Sequence, residues 1–250
     1  MCGLDTLENP ALVLASGSAR RRQLLALLGE PFLVRPSDLK EVNRVGESPA
    51  VMAMRLSRDK ARAVATCAQS GVVIGVDTLV CLDGKAVGKP VDPEHAADIL
   101  RRLCGRSHVV FSGLTLIAAY PRWERTELAQ TTVWMRKYSD EEIAAYVSSG
   151  DPFDKAGAYA IQHPGFAPVS RISGCYANVM GLPLCHLYRL LRETGIAPSD
   201  TPIAACDCFN HRICSAAPAI LAQASKEEQR AVRRFSALEG DEKLRQSKHG

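Results

Sequence analysis

Apolar and polar positions alternate along this chain in blocks that predict an α/β protein. Leu12 to Ala15 is a short apolar run of strand type; Ser16, Gly17 and Ser18 break it, and a helical stretch follows through Leu28. Ser18 stands where a helix cap belongs. Pro31 to Pro36 holds a second strand, and residues 37–50 are polar and predict a loop. From Ala50 to Gln69, apolar Met54, Ala61 and Ala65 interleave with Arg55, Arg58, Lys60 and Arg62, the pattern of an amphipathic helix. Val72 to Val76 reads as a buried strand that ends at Asp77-Thr78. Leu79 to Leu82, a turn at Asp83-Gly84 and Lys85 to Val87 read as a hairpin. Pro93 to Cys104 predicts a helix stopped by Gly105. His108 to Ala119 and Thr131 to Arg136 predict two antiparallel strands, and Ser139-Asp-Glu-Glu142 opens a helix that runs to Ser148. Ala156 to Gln162 and Val169 to Ile172 read as extended segments. The last core helix falls within Asn178 to Leu191, starting after Gly181-Leu-Pro183.

The character changes at Pro198. Residues 226–250 carry seven basic and five acidic side chains with almost no apolar period, which predicts frayed helix or disorder. The expected organisation is therefore a domain over residues 1–197 and an extension over residues 198–250. With 250 residues and 46% hydrophobic side chains, the chain is long enough to bury a sizeable core. A net charge of +4 and 6% aromatic residues give no footprint of a nucleic-acid binder. No apolar run spans a bilayer, and the first residues lack the basic and apolar regions of a secretory signal, so a cytoplasmic chain without a membrane partner is expected.

Nine cysteines, an odd number, argue against a disulfide framework in that setting. Cys67, Cys81, Cys104, Cys175 and Cys185 lie in apolar contexts and are expected in the core. Cys206, Cys208, His211 and Cys214 cluster as C-x-C-x-x-H-x-x-C. Thiolates and an imidazole so close can bind zinc, but the spacing matches no common zinc module.

The chemistry concentrates elsewhere. Arg20, Arg21 and Arg22 fall in the first turn of the first helix, where the helix dipole already disfavours cations. Free backbone N–H groups, hydroxyls and guanidinium groups together suit a phosphate chain, although a solvated basic turn would show the same pattern. Asp77, read at a strand end, can bind a divalent ion or orient a water, or can simply satisfy a turn. Lys89, after the hairpin, suits a phosphate as a point charge, or solvent. The P-loop, the dinucleotide fingerprint, H-E-x-x-H and G-x-S-x-G are all absent.

Six segments in order decide among these readings: Ser16-Gly-Ser-Ala-Arg-Arg21, Arg55-x4-Lys60-Ala61, Gly75-Val-Asp-Thr-Leu-Val80, Gly88-Lys-Pro90, Asp154-Lys-Ala-Gly-Ala-Tyr-Ala-Ile-Gln162 and Gly181-Leu-Pro183. Over residues 11–195 the chain closely resembles the Maf family of nucleoside triphosphate pyrophosphatases. The Ala-Tyr-Ala-Ile-Gln stretch looks like its dTTP/UTP branch rather than the 7-methyl-GTP branch.

The resemblance implies a long mixed sheet with flanking helices and two lobes around a cleft, similar to the inosine triphosphate pyrophosphatases. It implies cleavage between the α- and β-phosphates with a divalent cation, Mg²⁺ or Mn²⁺, and a homodimer. By position, Asp77 matches the proton acceptor, and Arg20, Thr78 and Gln162 match the specificity sites. Ser16, Arg21, Lys60, Lys89 and Lys155 match polar positions around the phosphates. Asp77 and Glu41 are the expected metal ligands, with Glu47 a further candidate carboxylate. Ala19 stands where the family usually has proline, and His163 where the branch usually has glycine. The family is also associated with septum formation and division arrest, so a nucleotide-binding regulator without turnover is the alternative reading.

Overall fold

Two long antiparallel strands organise the molecule. The structure, a computed structural model, describes residues 12–66, 71–118, 123–210 and 213–222. Strand β3 (Val72–Leu82) pairs antiparallel with β5 (Ser107–Ala118) at ten positions, from Val72↔Ala118 to Cys81↔Val109. β5 pairs in turn with β6 (Trp123–Met135), which pairs with the edge strand β7 (Val169–Ser173). On the other side β3 meets β1 (Leu12–Leu14) in parallel, and β1 carries β2 (Phe32–Val34). The short β4 (Lys85–Val87) folds back on β3 through Asp83-Gly84, both at positive φ (51° and 75°) as a tight hairpin demands. The result is a seven-stranded mixed sheet of order β2-β1-β3-β5-β6-β7 with β4 on β3.

β1 and β4 share one edge of β3 and do not meet. β1 covers Val72 to Ile74 and β4 covers Val80 to Leu82, so among the described residues, positions 75–79 have no strand partner on that edge. The sequence reading ended the strand at Asp77; β3 instead runs straight through it. The ladder to β5 continues past Asp77↔Gly113 and Thr78↔Ser112, with Lys60 of α2 bonded to one Asp77 oxygen and Ser112 of β5 to the Thr78 hydroxyl.

Period-two alternation splits β3 between two faces. On one face Val72, Ile74 and Val76 join Leu12, Leu14, Leu114 and Leu116 in a core closed by α1 (Ala19–Ala26), α5 (Tyr176–Met180) and α6 (Leu184–Glu193). Further along the same face, Val80, Leu82 and Val110 enter a second core with α3 (Pro93–Leu103) and α4 (Asp140–Ser148), the latter opened by the expected capping box. Thr78 and Ser112, hydrogen-bonded at 2.8 Å, lie between the two cores. The cleft between the lobes opens over this pair.

The opposite face packs on α2 (Pro49–Ala65), which Ser48 caps. The approach is very close: a Cβ on Gly75 would lie 2.2 Å from the Ser57 carbonyl oxygen, and one on Gly113 would lie 2.1 Å from that of Ala53. Gly113→Ala must push α2 off the sheet, and overpacking of this kind costs about 1–3 kcal/mol. Thermal unfolding of that variant should show a Tm several degrees below the parent's; an unchanged Tm would refute the close packing.

Other elements differ from expectation. Residues 156–162 form no strand: a 3₁₀ turn at Asp151–Asp154 is followed by a second at Ala156–Ala158, with Gly157 at φ 75° and Ala158 at φ 57°, which no strand can contain, and Tyr159 after them is extended. The last core helix starts after Pro183 as expected and is α6, but a short helix not read from the sequence, α5, precedes it and ends at Gly181 (φ 112°). α2 stops at its cap Thr66, and the rest of the expected span lies outside the described residues, as do Cys67 and residues 226–250. Among the described residues no helix is long and apolar enough to cross a membrane.

The extension folds back onto the core. Ser199 donates to Glu30, the Asp200 N–H donates to the Leu28 carbonyl at 3.2 Å, and Cys206 of α7 (Pro202–Asn210) is buried in the first core with Ile220 against it. Truncation after residue 200 uncovers that patch. We expect a folded protein destabilised by on the order of 2 kcal/mol, with catalysis per folded molecule retained. Thermal melting and a turnover assay below the lowered Tm test both parts.

Candidate active site

The site starts at the N-terminus of α1. Ser18 caps the helix by accepting from the Arg21 N–H. The Arg21 side chain turns inward and ties three segments together. Its Nε donates to the Gly181 carbonyl at 2.9 Å, one Nη to Ser16 Oγ at 2.9 Å and the other to Thr78 Oγ1 at 3.3 Å. Burial lowers its pKa from the ordinary value, against the pull of Asp77, but a guanidinium stays charged in proteins. Arg20 reaches across the cleft to Asp154 at 3.5 Å, and Arg22 is exposed. The three arginines thus have three different fates.

Asp77 projects from β3 toward α2 and is only 4% exposed. The glycines on the sheet let α2 lie close enough for Lys60 Nζ to donate to Asp77 Oδ1 at 2.5 Å and to Glu41 Oε1 at 2.6 Å. The same contact pairs Ser57 Oγ with Thr115 Oγ1 at 2.8 Å. Asp77 Oδ2 is buried with no hydrogen-bond partner among the described residues. Burial pushes the Asp77 carboxyl above the usual range, more than Lys60 pulls it down. Burial would also raise Glu41, but the hydrogen bond and charge of Lys60, with Lys89 and Arg21, bring it below its ordinary value.

Two chambers adjoin here and share Ser18, Arg20, Arg21, Lys89 and Asp154. One, of about 970 Å³ of empty space, is polar and takes in Ser16, Glu41 and Lys60. The other, of about 770 Å³, runs between the lobes over Thr78, walled by Val80, Val110, Tyr159, Ile161 and Met180, with exposed Gln162 on its lining. Among the described residues the structure therefore brings together Ser16, Arg20, Arg21, Glu41, Lys60, Asp77, Thr78, Lys89, Lys155 and Gln162.

Two expectations change. Lys155 lines the cleft, but all three of its N–H donors are engaged, by the Asp151 carbonyl and by the Asp151 and Asp154 carboxylates. Glu47 is not in either chamber. Arg55 grips it with two bonds of 2.7 Å and also donates to the Val42 carbonyl, which pins the 41–47 loop to α2 and holds Glu41 beside Lys60. His163, where glycine is usual, turns from the cleft to accept from the Phe166 N–H at 3.0 Å.

Sequence reasoning did not find Ser112, Tyr159 or Asp154 as site residues, nor the two glycines. The signal for Gly75 and Gly113 was their placement in apolar strands, where glycine marks a close backbone approach. Cys81, Cys175 and Cys185 are buried as expected, and Cys104 is half-buried. Cys206 is buried and Cys208 exposed, while His211 lies outside the described residues. Among the described residues no group of three His, Cys, Asp or Glu side chains is placed to hold a metal by itself.

A mixed α/β sheet whose interrupted edge is lined with cations, opening into a cleft with one apolar wall and one polar wall, defines a protein built to receive a phosphate chain attached to a partly apolar group. The chain belongs to the Maf family: the profile of Maf-like proteins matches residues 11–194. It is 45% identical over 184 residues to a dTTP/UTP pyrophosphatase of Carboxydothermus hydrogenoformans, covering 74% of this chain and 98% of that one. It is 43% identical over 187 residues to a protein of that name from Methanosarcina barkeri (74% and 95%), and 45% identical over 194 residues to one from Thermomicrobium roseum (76% and 87%). A solved HAM1 protein from Coxiella burnetii matches 49% of this chain and 70% of its own at 16% identity; its TM-score of 0.32 is not evidence of a common fold.

Proposed function

We propose that the protein hydrolyses dTTP and UTP to the nucleoside monophosphate and pyrophosphate. The observation that carries this reading is the unpartnered Asp77 Oδ2 at the interrupted edge of β3, beside a chamber lined by Arg21, Lys60 and Lys89. The names of the relatives, all near 45% identity or just below, supply the substrate class.

The triphosphate lies along the polar chamber. Lys89, Arg20 and the Ser16–Ser18 turn neutralise and orient it, with Arg21 as the fixed charge behind them. The pyrimidine enters the cleft between the lobes against its wall of Val80, Val110, Ile161 and Met180, where Thr78, Arg20 and Gln162 read its edge. Asp77 accepts a proton from a water whose oxygen bonds to the α-phosphorus; the bridge to the β-phosphate breaks and pyrophosphate leaves. Raised basicity suits this role, because a carboxylate that holds its proton more tightly is a stronger base. Lys155, already paired, sets the charge of the far wall.

The donors present fit a divalent cation. Asp77 offers a free buried oxygen and Glu41 a second carboxylate, and Mg²⁺ is commonly held by one or two carboxylates with substrate phosphates completing its shell. Asp77 and Glu41 would hold Mg²⁺ or Mn²⁺, and the ion would supply charge neutralisation on the phosphate oxygens. A cytoplasmic homodimer completes the reading.

Pyrophosphate release from a panel of nucleoside triphosphates with Mg²⁺ tests it. We expect dTTP and UTP to be the best substrates and a chelator to abolish turnover. Orthophosphate as product would overturn the reaction, and preference for 7-methyl-GTP would overturn the branch. Nucleotide binding without turnover would favour a regulator.

A further inference from the structure

We infer that Lys60 is an internal occupant of the cation site, its ammonium standing between Asp77 and Glu41 in the nucleotide-free protein, so that the divalent ion enters with the nucleotide. The inference rests on the proposed cation-dependent reaction and concerns how its site is kept before substrate arrives.

The geometry is specific. Lys60 Nζ touches one oxygen of each carboxylate, at 2.5 and 2.6 Å, and the residue is only 9% exposed. Asp77 is more than nine-tenths buried, and its second oxygen has no partner among the described residues, so the pair retains unmet acceptor capacity toward a cation. Gly75 and Gly113 let the α2 backbone sit directly on the sheet, and from that seat the ammonium can leave by swinging its flexible stem. The adjoining chamber offers a destination, because the same residue lines it where the triphosphate is expected. An ammonium and a divalent ion drawn to the same two carboxylates repel one another at short range. Anionic phosphates would draw Lys60 off and bring the metal with them, a coupling that must act equally in both directions.

The test is Mn²⁺ alone titrated into nucleotide-free full-length protein at pH 8, with free Mn²⁺ read by electron paramagnetic resonance. Lys60→Met should bind Mn²⁺ at least tenfold more tightly than the parent, although its turnover is lost; Lys60→Arg, which keeps the charge, should bind no more tightly than the parent. In the parent, α,β-methylene-dUTP should tighten Mn²⁺ binding, and by a larger factor than in Lys60→Met. Equal or weaker Mn²⁺ binding by a Lys60→Met variant with a native circular dichroism spectrum would overturn the inference. If that variant does not fold, Lys60→Gln is held to the same criterion. Failure of the proposed reaction is seen separately, as chelator-resistant turnover of the parent.

Discussion

Asp77→Asn should lower kcat by roughly 10²- to 10⁴-fold, the usual contribution of a general base, without lowering the Tm at neutral pH. Asparagine has nearly the same shape and cannot accept the proton. The stability half of the prediction follows from burial. Asp77 is desolvated beyond what Lys60 compensates, so its folded pKa lies above the unfolded value. The native state then holds this proton more tightly than the unfolded chain does. The group's contribution to stability therefore falls as pH rises from the ordinary carboxylate value through the raised one. At neutral pH the uncharged amide escapes that penalty, and Lys60 keeps Glu41 as a partner. The same shift sets the acid limb of the parent's kcat, which should fall as pH drops through the raised pKa. Pyrophosphate release over a pH series and thermal melts of both proteins check this. Near-parental kcat in the variant would move the base role to another carboxylate, Glu41 first.

Arg21→Lys should reduce kcat/KM for dTTP by on the order of 10²-fold and lower the Tm as well, because hydrogen bonds to a charged group are each worth about 1.5–3 kcal/mol. Lysine retains the charge but not the planar fork. The fork reaches Ser16, Thr78 and Gly181 at once, and so holds the phosphate turn, the open stretch of β3 and the break between α5 and α6 in fixed relation. One ammonium cannot span those three acceptors. Steady-state kinetics with dTTP and UTP, beside thermal unfolding, separate the two losses. A variant that keeps parental values in both would show that this strut is not needed.

Most of the site was legible because its residues sit in short ordered motifs. What escaped depends on contacts between distant segments. Asp77 and Thr78 interrupt an apolar run, and a polar pair reads locally as a strand end; only the β5 ladder, more than thirty residues away, carries the strand through. Ala-Tyr-Ala-Ile alternates small and apolar residues like an extended segment, but Gly157 and Ala158 take left-handed φ values that close 3₁₀ turns. Glu47 looks as free as Glu41 in a polar loop. Its capture by Arg55, eight residues on, depends on how the loop folds back on α2, and no periodicity encodes that. The docking of Cys206 and Ile220 was hidden in the same way, since a polar extension gives little hint of the one face it buries.

The glycines beneath α2 also act on the assembly of the sheet. Side chains alternate between faces, so a one-residue slip of β5 against β3 would bring Ser112 or Leu114 under the Ala53 carbonyl in place of Gly113. No side chain fits there. The helix can seat closely only over the native alignment, so the docking of α2 and the register of β3 against β5 are specified together.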